Sequence, residues 1–159
     1  MKPPCRRKPL VCVTSLQQAC RIPRKGLLEL PAFVAAVEGF RLAEADIAVV
    51  DGAAITRLNR RFLRHAGDTD VLSFDLSESA AGISAEIVIC GDVAVRQARR
   101  LGCSPQREIM LYLIHGLLHL MGYEDSSVRG AAKMSARQEE LLRRFLAKTR
   151  KKHTPRRGA

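Results

Sequence analysis

The stretch His115-Gly116-Leu117-Leu118-His119-Leu120-Met121-Gly122-Tyr123-Glu124-Asp125 decides how the rest of this sequence is interpreted. It overlaps an apolar run over residues 109–121, and the length and composition of that run predict a buried helix. His115 and His119 are four residues apart, so they project from one face of this helix, one turn above the other. Two imidazoles placed in this way indicate a functional site.

A glycine after the helix predicts a third polar group at the same place. Gly122 can adopt a positive φ, end the helix and turn the chain back, which brings Asp125 towards the two imidazoles. Two neutral imidazole nitrogens and one carboxylate oxygen make a three-ligand site with an open position, the arrangement of a catalytic zinc. We therefore predict a hydrolytic metal site formed by His115, His119 and Asp125.

An alternative without a metal stays open. The two histidines could be core residues that donate to backbone carbonyls, and Asp125 could cap the next helix. We favour the metal site because imidazole nitrogens that are buried without a partner cost free energy.

The spacing of the site resembles that of the metzincin proteases, which place a histidine at +4, a glycine at +7 and a third ligand at +10. Their mechanism needs a glutamate directly after the first histidine to act as general base. Gly116 occupies that position here. Peptide hydrolysis by this mechanism is therefore disfavoured.

The remaining patterns predict one α/β (α+β) domain with a small mixed four-stranded sheet packed with about five helices. The central helix, which carries the metal ligands, begins at the N-cap Ser104 and the following Pro105. The predicted strands are residues 10–14, 46–50, 69–76 and 85–90. The predicted helices are residues 27–40, 54–63, 93–101, 105–121 and 128–148. The loop over residues 77–84 is long enough for a hairpin or a crossover.

The formal net charge is +11, which favours polyanionic partners because Lys and Arg displace counterions from a phosphate backbone. Four of the basic side chains lie in residues 1–9 and six in residues 148–157, which leaves only about +1 on the rest of the chain. We therefore predict a disordered basic arm over residues 1–9, a hydrolase domain over 10–148 and a basic tail over 149–159.

No apolar run reaches the roughly 18 residues of a membrane span, and the apolar residues after the basic N-terminus are too few for a signal peptide. The five cysteines are odd in number and show no CxxC pairing, which argues against a disulfide framework and a thiolate zinc site. We expect a cytoplasmic protein with most cysteines buried as small hydrophobes.

Three ordered blocks resemble the YbeY family of rRNA maturation endoribonucleases. Residues 115–124 match the family signature His-Gly-x-Leu-His-Leu-x-Gly-Tyr-Asp-His except for Glu124 in place of aspartate. Residues 69–74, Thr-Asp-Val-Leu-Ser-Phe, resemble a second family block, and residues 86–93 resemble a third that contains Gly-Asp. The resemblance covers about residues 45–146.

This resemblance implies a single-strand-specific, metal-dependent endoribonuclease that acts in 16S rRNA 3′-end maturation and in ribosome quality control. The implied partners are single-stranded rRNA and the ribosome or its small subunit, with no membrane. It also implies one zinc per chain, held by His115, His119 and the residue at 125. The usual third ligand in the family is histidine, whereas this chain has Asp125, an oxygen ligand that widens tolerance towards another divalent metal such as Mn²⁺.

The catalytic groups around the metal are less well defined by the sequence. Many family members have an arginine directly after the aromatic residue that matches Phe62, whereas here the arginine comes one residue later, at Arg64. Arg64 or Arg60 is a candidate for stabilising negative charge, and His65 and Asp70 are candidates for the general base. Each also has an ordinary interpretation as a surface, turn or capping residue. The alternative functions are a metallohydrolase acting on a peptide or another ester, and a non-catalytic ribosome-binding factor with a structural metal.

Overall fold

The computed structural model of this 159-residue chain describes residues 8–63, 67–78 and 80–153. Four strands and five helices follow one another in these residues. In chain order they are β1 (Leu10–Leu16), α1 (Arg24–Glu38), β2 (Leu42–Val50), α2 (Gly52–Leu63), β3 (Val71–Asp75), β4 (Ile83–Cys90), α3 (Gly91–Leu101), α4 (Pro105–Leu120) and α5 (Val128–His153). The predicted single α/β domain is confirmed.

The four strands form one mixed sheet in the order β1-β2-β4-β3. β2 runs parallel to β1 and to β4, whereas β3 is antiparallel to β4. β3 and β4 are sequential and adjacent, so the loop between them makes a hairpin connection and not a crossover. The second half of β4 is buried on both faces from Ile87 to Cys90, as expected for a strand with partners on both sides.

Helix α4 lies at the centre of the molecule. α1 packs on β1 and β2, α4 packs on β3 and β4, and α5 packs across α4. α4 is therefore enclosed between the sheet and another helix, and most of its residues from Glu108 to Leu118 are buried. This burial confirms the prediction made from its apolar run.

The start of α4 follows the predicted capping pattern. The side chain of Ser104 accepts a hydrogen bond of 3.2 Å from the backbone N–H of Arg107, and Pro105 is the first helical residue. An N-cap oxygen satisfies an N–H group that has no partner within the helix. This cap fixes where the helix begins.

Several elements are longer than the sequence predicts, and β2 and α5 extend the furthest. β2 begins at Leu42 and not at residue 46, because parallel partners on both sides extend its hydrogen bonding through the polar residues Glu44 and Asp46. α5 continues past residue 148 to His153, because Lys and Arg are good helix formers. The first residues of the predicted C-terminal tail are thus helical.

The expectation that most cysteines are buried is wrong for the described part of the chain. Cys90 is buried, but Cys12 is exposed, and Cys20 and Cys103 are half-buried. Cys12 is exposed because it lies on an edge strand, β1, whose outward face is not covered. All four are free thiols.

None of the helices in the described residues combines the length and the apolar composition needed to cross a membrane.

Candidate metal centre

The last turns of α4 and the turn that follows them bring the three predicted ligands together. Gly122 has a φ of 91°, the left-handed value that the sequence predicts. The N–H of Gly122 donates to the carbonyl of His119 at 3.0 Å, and the N–H of Tyr123 donates to the carbonyl of Leu118 at 3.1 Å. These two bonds close the end of the helix and turn the chain back, so that Asp125 faces the histidines.

The three side chains form a compact triangle of acceptor atoms. Nε2 of His115 and Nε2 of His119 are 3.0 Å apart. Oδ2 of Asp125 lies 3.6 Å from the first nitrogen and 3.5 Å from the second. The side chains of the two histidines are 20% and 32% exposed and that of Asp125 is 47% exposed, so the triangle is accessible from solvent.

Hydrogen bonds on the far side of each ring set the tautomer of the histidines. Nδ1 of His119 lies 3.0 Å from the backbone carbonyl oxygen of Tyr123, which can only accept, so Nδ1 carries the proton. Nδ1 of His115 likewise donates to Oε1 of Gln138 at 2.9 Å. With the proton of each neutral ring on Nδ1, each Nε2 directs a lone pair into the triangle.

In this tautomer the triangle contains two nitrogen lone pairs and a carboxylate oxygen, and none of these three atoms carries a proton to donate to the others. Such a set of acceptors is stabilised by a cation. In a tetrahedral site with metal–ligand distances of about 2.0–2.2 Å, the ligand atoms lie roughly 3.3–3.6 Å apart. The observed separations of 3.0, 3.5 and 3.6 Å are close to these values. His115, His119 and Asp125 could therefore bind a metal ion.

Asp125 does not act as the cap of the next helix. Ser127 has this role, because its side-chain oxygen accepts a hydrogen bond of 3.0 Å from the N–H of Gly130. Among the described residues, the polar contacts of the Asp125 side chain are those with the two histidines. The geometry therefore disfavours the capping alternative for this residue.

Gln138 is a part of the site that the sequence patterns do not identify. It lies on α5 and reaches His115 because α5 packs on α4, so no spacing within the sequence connects the two residues. A weak signal exists, since Gln138 is a polar residue on the apolar face of α5. The buried residues of that face are Met134, Leu141, Leu142 and Phe145.

A second group of polar side chains supports the turn that carries Asp125. The hydroxyl of Tyr123 donates to Oε2 of Glu38 at 3.1 Å, and Nε of Arg137 donates to Oε1 of the same carboxylate at 2.6 Å. The side chain of Glu38 is only 9% exposed. Burial, together with the neighbouring Glu38 carboxylate, raises the pKa of the Tyr123 hydroxyl. Tyr123 is thus held at its hydroxyl while its carbonyl orients His119.

Gly116 faces the sheet. A Cβ atom at this position would lie 3.3 Å from Cγ2 of both Val71 and Ile87, and 3.5 Å from Cβ of Ser73. The position that holds the general base in metzincins is here packed against β3 and β4. A glutamate side chain has no room at residue 116, which strengthens the case against a metzincin-type protease.

The predicted catalytic candidates are not all brought to the triangle. Oδ1 of Asp70 accepts from the N–H of Val71 at 2.8 Å, and Asp70 lines a cavity beside α4. Arg60 is exposed in the last turn of α2. Arg64 and His65 lie outside the described residues.

The fold and the site define a single-domain α/β protein with a candidate three-ligand metal centre at the end of its central helix. The family described as endoribonuclease YbeY matches residues 24–146. The chain belongs to this family. The predicted family is confirmed, and the enzyme class that its description names, an endoribonuclease, agrees with the predicted one.

Individual relatives support the assignment. The chain is 36% identical over 117 residues to the endoribonuclease YbeY of Salinibacter ruber, covering 69% of this chain and 74% of that protein. It is 42% identical over 111 residues to that of Moorella thermoacetica, with 63% and 71% covered. The match to the Renibacterium salmoninarum protein is longer, 35% over 144 residues, and covers 83% of this chain and 90% of the relative.

A solved structure shows the same fold. The solution structure of a protein from Thermotoga maritima superposes with a TM-score of 0.60 at 21% identity, covering 94% of this chain and all of the other.

Proposed function

We propose that this protein is a metal-dependent endoribonuclease that cleaves single-stranded RNA during rRNA maturation in the cytoplasm. The observation that carries the proposal is the convergence of three possible ligand atoms, on His115, His119 and Asp125, which all lie within 4.8 Å of one another. Membership of the endoribonuclease YbeY family supports the choice of RNA as substrate. The finer role that we propose is 3′-end maturation of 16S rRNA and ribosome quality control, with the small ribosomal subunit as partner.

We propose one zinc ion per chain in this site. Two imidazole nitrogens and one carboxylate oxygen suit zinc, and the oxygen ligand makes Mn²⁺ an acceptable substitute. When bound, zinc acidifies a water molecule and acts as a Lewis acid on a phosphoryl oxygen. Three protein ligands leave a coordination position for water or substrate, which supports a catalytic rather than a structural metal.

The residues of the site orient the two imidazoles and contribute charge at the metal position. Gln138 and the carbonyl of Tyr123 hold the two imidazoles in the tautomer that leaves Nε2 free. Asp125 contributes one negative charge and is the most exposed of the three ligands, so the site is open on its side. The remaining roles are those expected from the sequence, with His65 or Asp70 as general base and Arg64 or Arg60 as the group that stabilises negative charge.

The net charge of +11 supports a polyanionic substrate. We expect binding of RNA to weaken as salt concentration rises, because basic side chains release counterions from the phosphates. A peptide substrate is disfavoured because Gly116 is packed against Val71 and Ile87 and leaves no place for the protease general base.

A cleavage assay on metal-free and reloaded protein tests the proposal. The protein is dialysed against a chelator and reloaded with zinc or Mn²⁺, and it is then incubated with an RNA either single-stranded or annealed to its complement. We expect cleavage of the single strand by the reloaded protein alone. We expect His119→Ala to lose both metal, by elemental analysis, and cleavage.

Two results would contradict the proposal. One is full cleavage by metal-free His119→Ala protein. The other is stoichiometric metal in wild-type protein with no cleavage of any single-stranded RNA, which would favour a ribosome-binding factor with a structural metal. Co-sedimentation with purified small subunits tests the proposed partner separately.

A further inference from the structure

A cavity of about 390 Å³ opens beside the metal centre. Its walls come from four parts of the chain, namely residues 68–70 ahead of β3, one face of α3, α4, and Gln138 of α5. This volume is within the range of about 300–1,000 Å³ that is typical of small-molecule sites. It is large enough for a single nucleotide.

The cavity and the candidate metal centre share a residue. Gln138 lines the cavity, and its Oε1 accepts the hydrogen bond from Nδ1 of His115. Tyr112 also lines the cavity and lies three residues before His115 on the same face of α4, which places it about 4.5 Å away along the helix axis. A molecule in the cavity is therefore within about one helical turn of the metal ligands.

Most charges in the cavity wall are already paired. Arg96 forms an ion pair of 2.9 Å with Asp68, and the buried Glu108 forms one of 3.2 Å with Arg107. Arg100 is the exception among the basic residues of the wall, since it has no ion pair or hydrogen bond within the described part of the chain. Its guanidinium is available to bind an anion, and phosphate matches its geometry.

Asp70 provides the matching acceptor. Its Oδ1 accepts from the N–H of Val71 at 2.8 Å and from the hydroxyl of Thr69 at 3.3 Å, while Oδ2 has no hydrogen-bond partner within the described residues. The rest of the wall combines polar side chains, Gln97 and Glu108 among them, with apolar and aromatic ones. Its apolar and aromatic members are Val93, Leu101, Leu111 and Tyr112. The wall thus offers an acceptor, a cation and a surface against which a flat ring can pack.

We propose that this cavity binds one nucleotide of the RNA strand next to the cleaved bond, and that Asp70 selects a base with an exocyclic amino group. Arg100 binds a phosphate, the base packs on the apolar wall, and Oδ2 of Asp70 accepts from the amino group. Adenine, cytosine and guanine have such a group, whereas uracil does not. The inference rests on the proposed ribonuclease function, and it adds a base preference to it.

The first test measures binding of AMP, CMP and UMP to metal-free full-length protein by NMR titration, so it does not depend on catalysis. We expect AMP and CMP to bind more tightly than UMP. Arg100→Ala is expected to weaken AMP binding by roughly tenfold, as for loss of a charge-assisted hydrogen bond. Arg99→Ala is the matched control, because Arg99 is an exposed neighbour on α3 that does not line the cavity.

The second test uses Asp70→Asn, because an amide can donate to the carbonyl oxygens of uracil as well as accept. We expect this variant to gain UMP binding relative to AMP, and to cleave uridine-containing single strands with less discrimination. If the variant lowers cleavage of all sequences equally and keeps the base preference, Asp70 acts as a general base and its role in base selection is wrong.

Three further outcomes overturn the inference. These are the absence of nucleotide binding, equal binding of AMP and UMP by wild-type protein, and equal effects of Arg99→Ala and Arg100→Ala. None of them affects the proposed ribonuclease function, which is tested separately by the metal dependence of RNA cleavage and by His119→Ala. The two proposals therefore fail in distinguishable ways.

Discussion

Tyr123 and Glu38 are joined across 85 residues of sequence by a hydrogen bond of 3.1 Å from the tyrosine hydroxyl to Oε2 of the carboxylate. The carbonyl of the same tyrosine accepts from Nδ1 of His119. Helix α1 therefore supports the turn after α4 through a single residue, Glu38. Arg137 of α5 completes this support through its bond to Glu38.

Removing the Tyr123 hydroxyl is expected to loosen the metal site. Tyr123→Phe keeps the ring and the carbonyl but loses the bond to Glu38, so the turn that bears Asp125 is less well fixed. We expect metal affinity to fall by roughly tenfold, at the lower end of the range for groups that orient ligands. Competition with a chromophoric chelator measures this affinity.

Glu140→Gln is the control for this change. Oε2 of Glu140 accepts from Nη1 of Arg137 at 2.8 Å, and Glu140 makes no hydrogen bond to Tyr123. Its loss should leave metal affinity unchanged. If Tyr123→Phe binds the metal as tightly as wild-type protein but is less stable, Tyr123 has only a structural role.

Gln138→Ala removes the acceptor that holds the proton on Nδ1 of His115. Loss of such a group typically lowers metal affinity by roughly 10- to 100-fold, and we expect a decrease in this range. Glu139→Ala is the matched control, since the adjacent side chain forms an ion pair with Arg107 and does not contact either histidine. An unchanged metal affinity in Gln138→Ala would show that the tautomer is fixed by the metal alone.

Asp125→His tests whether Asp125 is a metal ligand. If Asp125 binds the metal, histidine at this position should keep the metal bound with three nitrogens, whereas Asp125→Ala should weaken binding. Glu124→Ala serves as the control, because Glu124 is an exposed neighbour outside the cluster. Metal content after gel filtration is the measurement. Identical metal content in Asp125→Ala and Glu124→Ala would remove Asp125 from the site.

Gly116→Ala is expected to destabilise the protein by about 1 kcal/mol. Overpacking in a core costs about 1–3 kcal/mol, and the higher helix propensity of alanine offsets up to about 1 kcal/mol of this cost. Val71 and Ile87 lie 3.3 Å from the new methyl group and are β-branched residues of the sheet, so they cannot move aside easily. Urea unfolding measures the change.

Gly26→Ala is a useful comparison, because Gly26 lies in α1 and its new methyl group would contact the flexible side chain of Met110 in α4. We expect this substitution to be neutral or slightly stabilising. A loss of stability in Gly26→Ala as large as that in Gly116→Ala would mean that tight contact with the sheet is not the cause.

Alkaline pH is expected to destabilise the fold. Burial, followed by the effects of Glu108 and Asp70, raises the pKa of the Tyr112 hydroxyl above its ordinary value of 10.0, and burial raises the pKa of the Cys90 thiol above 9.0. In the unfolded chain these groups lose their protons at lower pH. Stability should therefore be intact below about pH 9 and fall above it, by up to about 1.4 kcal/mol per pH unit for each group.

Tyr112→Phe tests the origin of this decrease. The variant lacks one of the two groups, so its stability should fall less steeply between pH 9 and 11 than that of wild-type protein. Urea unfolding over this range gives the two slopes. A wild-type stability that is constant up to pH 11 would contradict the prediction.

The parts of the fold that depend on local sequence could be predicted. Ser104 and Pro105 mark the start of α4, and Gly122 marks its end, because capping and positive φ are properties of single residues. The spacing of His115 and His119 was sufficient to place them side by side. The start of β2 at Leu42 could not be predicted, since hydrogen bonds to two neighbouring strands determine it.

The supporting residues of the candidate site could not be predicted for the same physical reason. Gln138 and Glu38 reach the site only through the packing of α5 and α1 against α4, and no spacing within the sequence links them to the histidines. The general base remains a prediction, because His65 lies outside the described residues and Asp70 lies in the neighbouring cavity.

Gln138 lies on the last helix, α5, so its contact with His115 forms late in the synthesis of the chain. A ribosome releases the N-terminal part of a chain first, and β1 to α4 can begin to fold before α5 has emerged. Until α5 packs on α4, His115 lacks the acceptor that orients it and Glu38 lacks Arg137. A chain still attached to the ribosome thus lacks two of the contacts that order the candidate metal centre and the turn beside it.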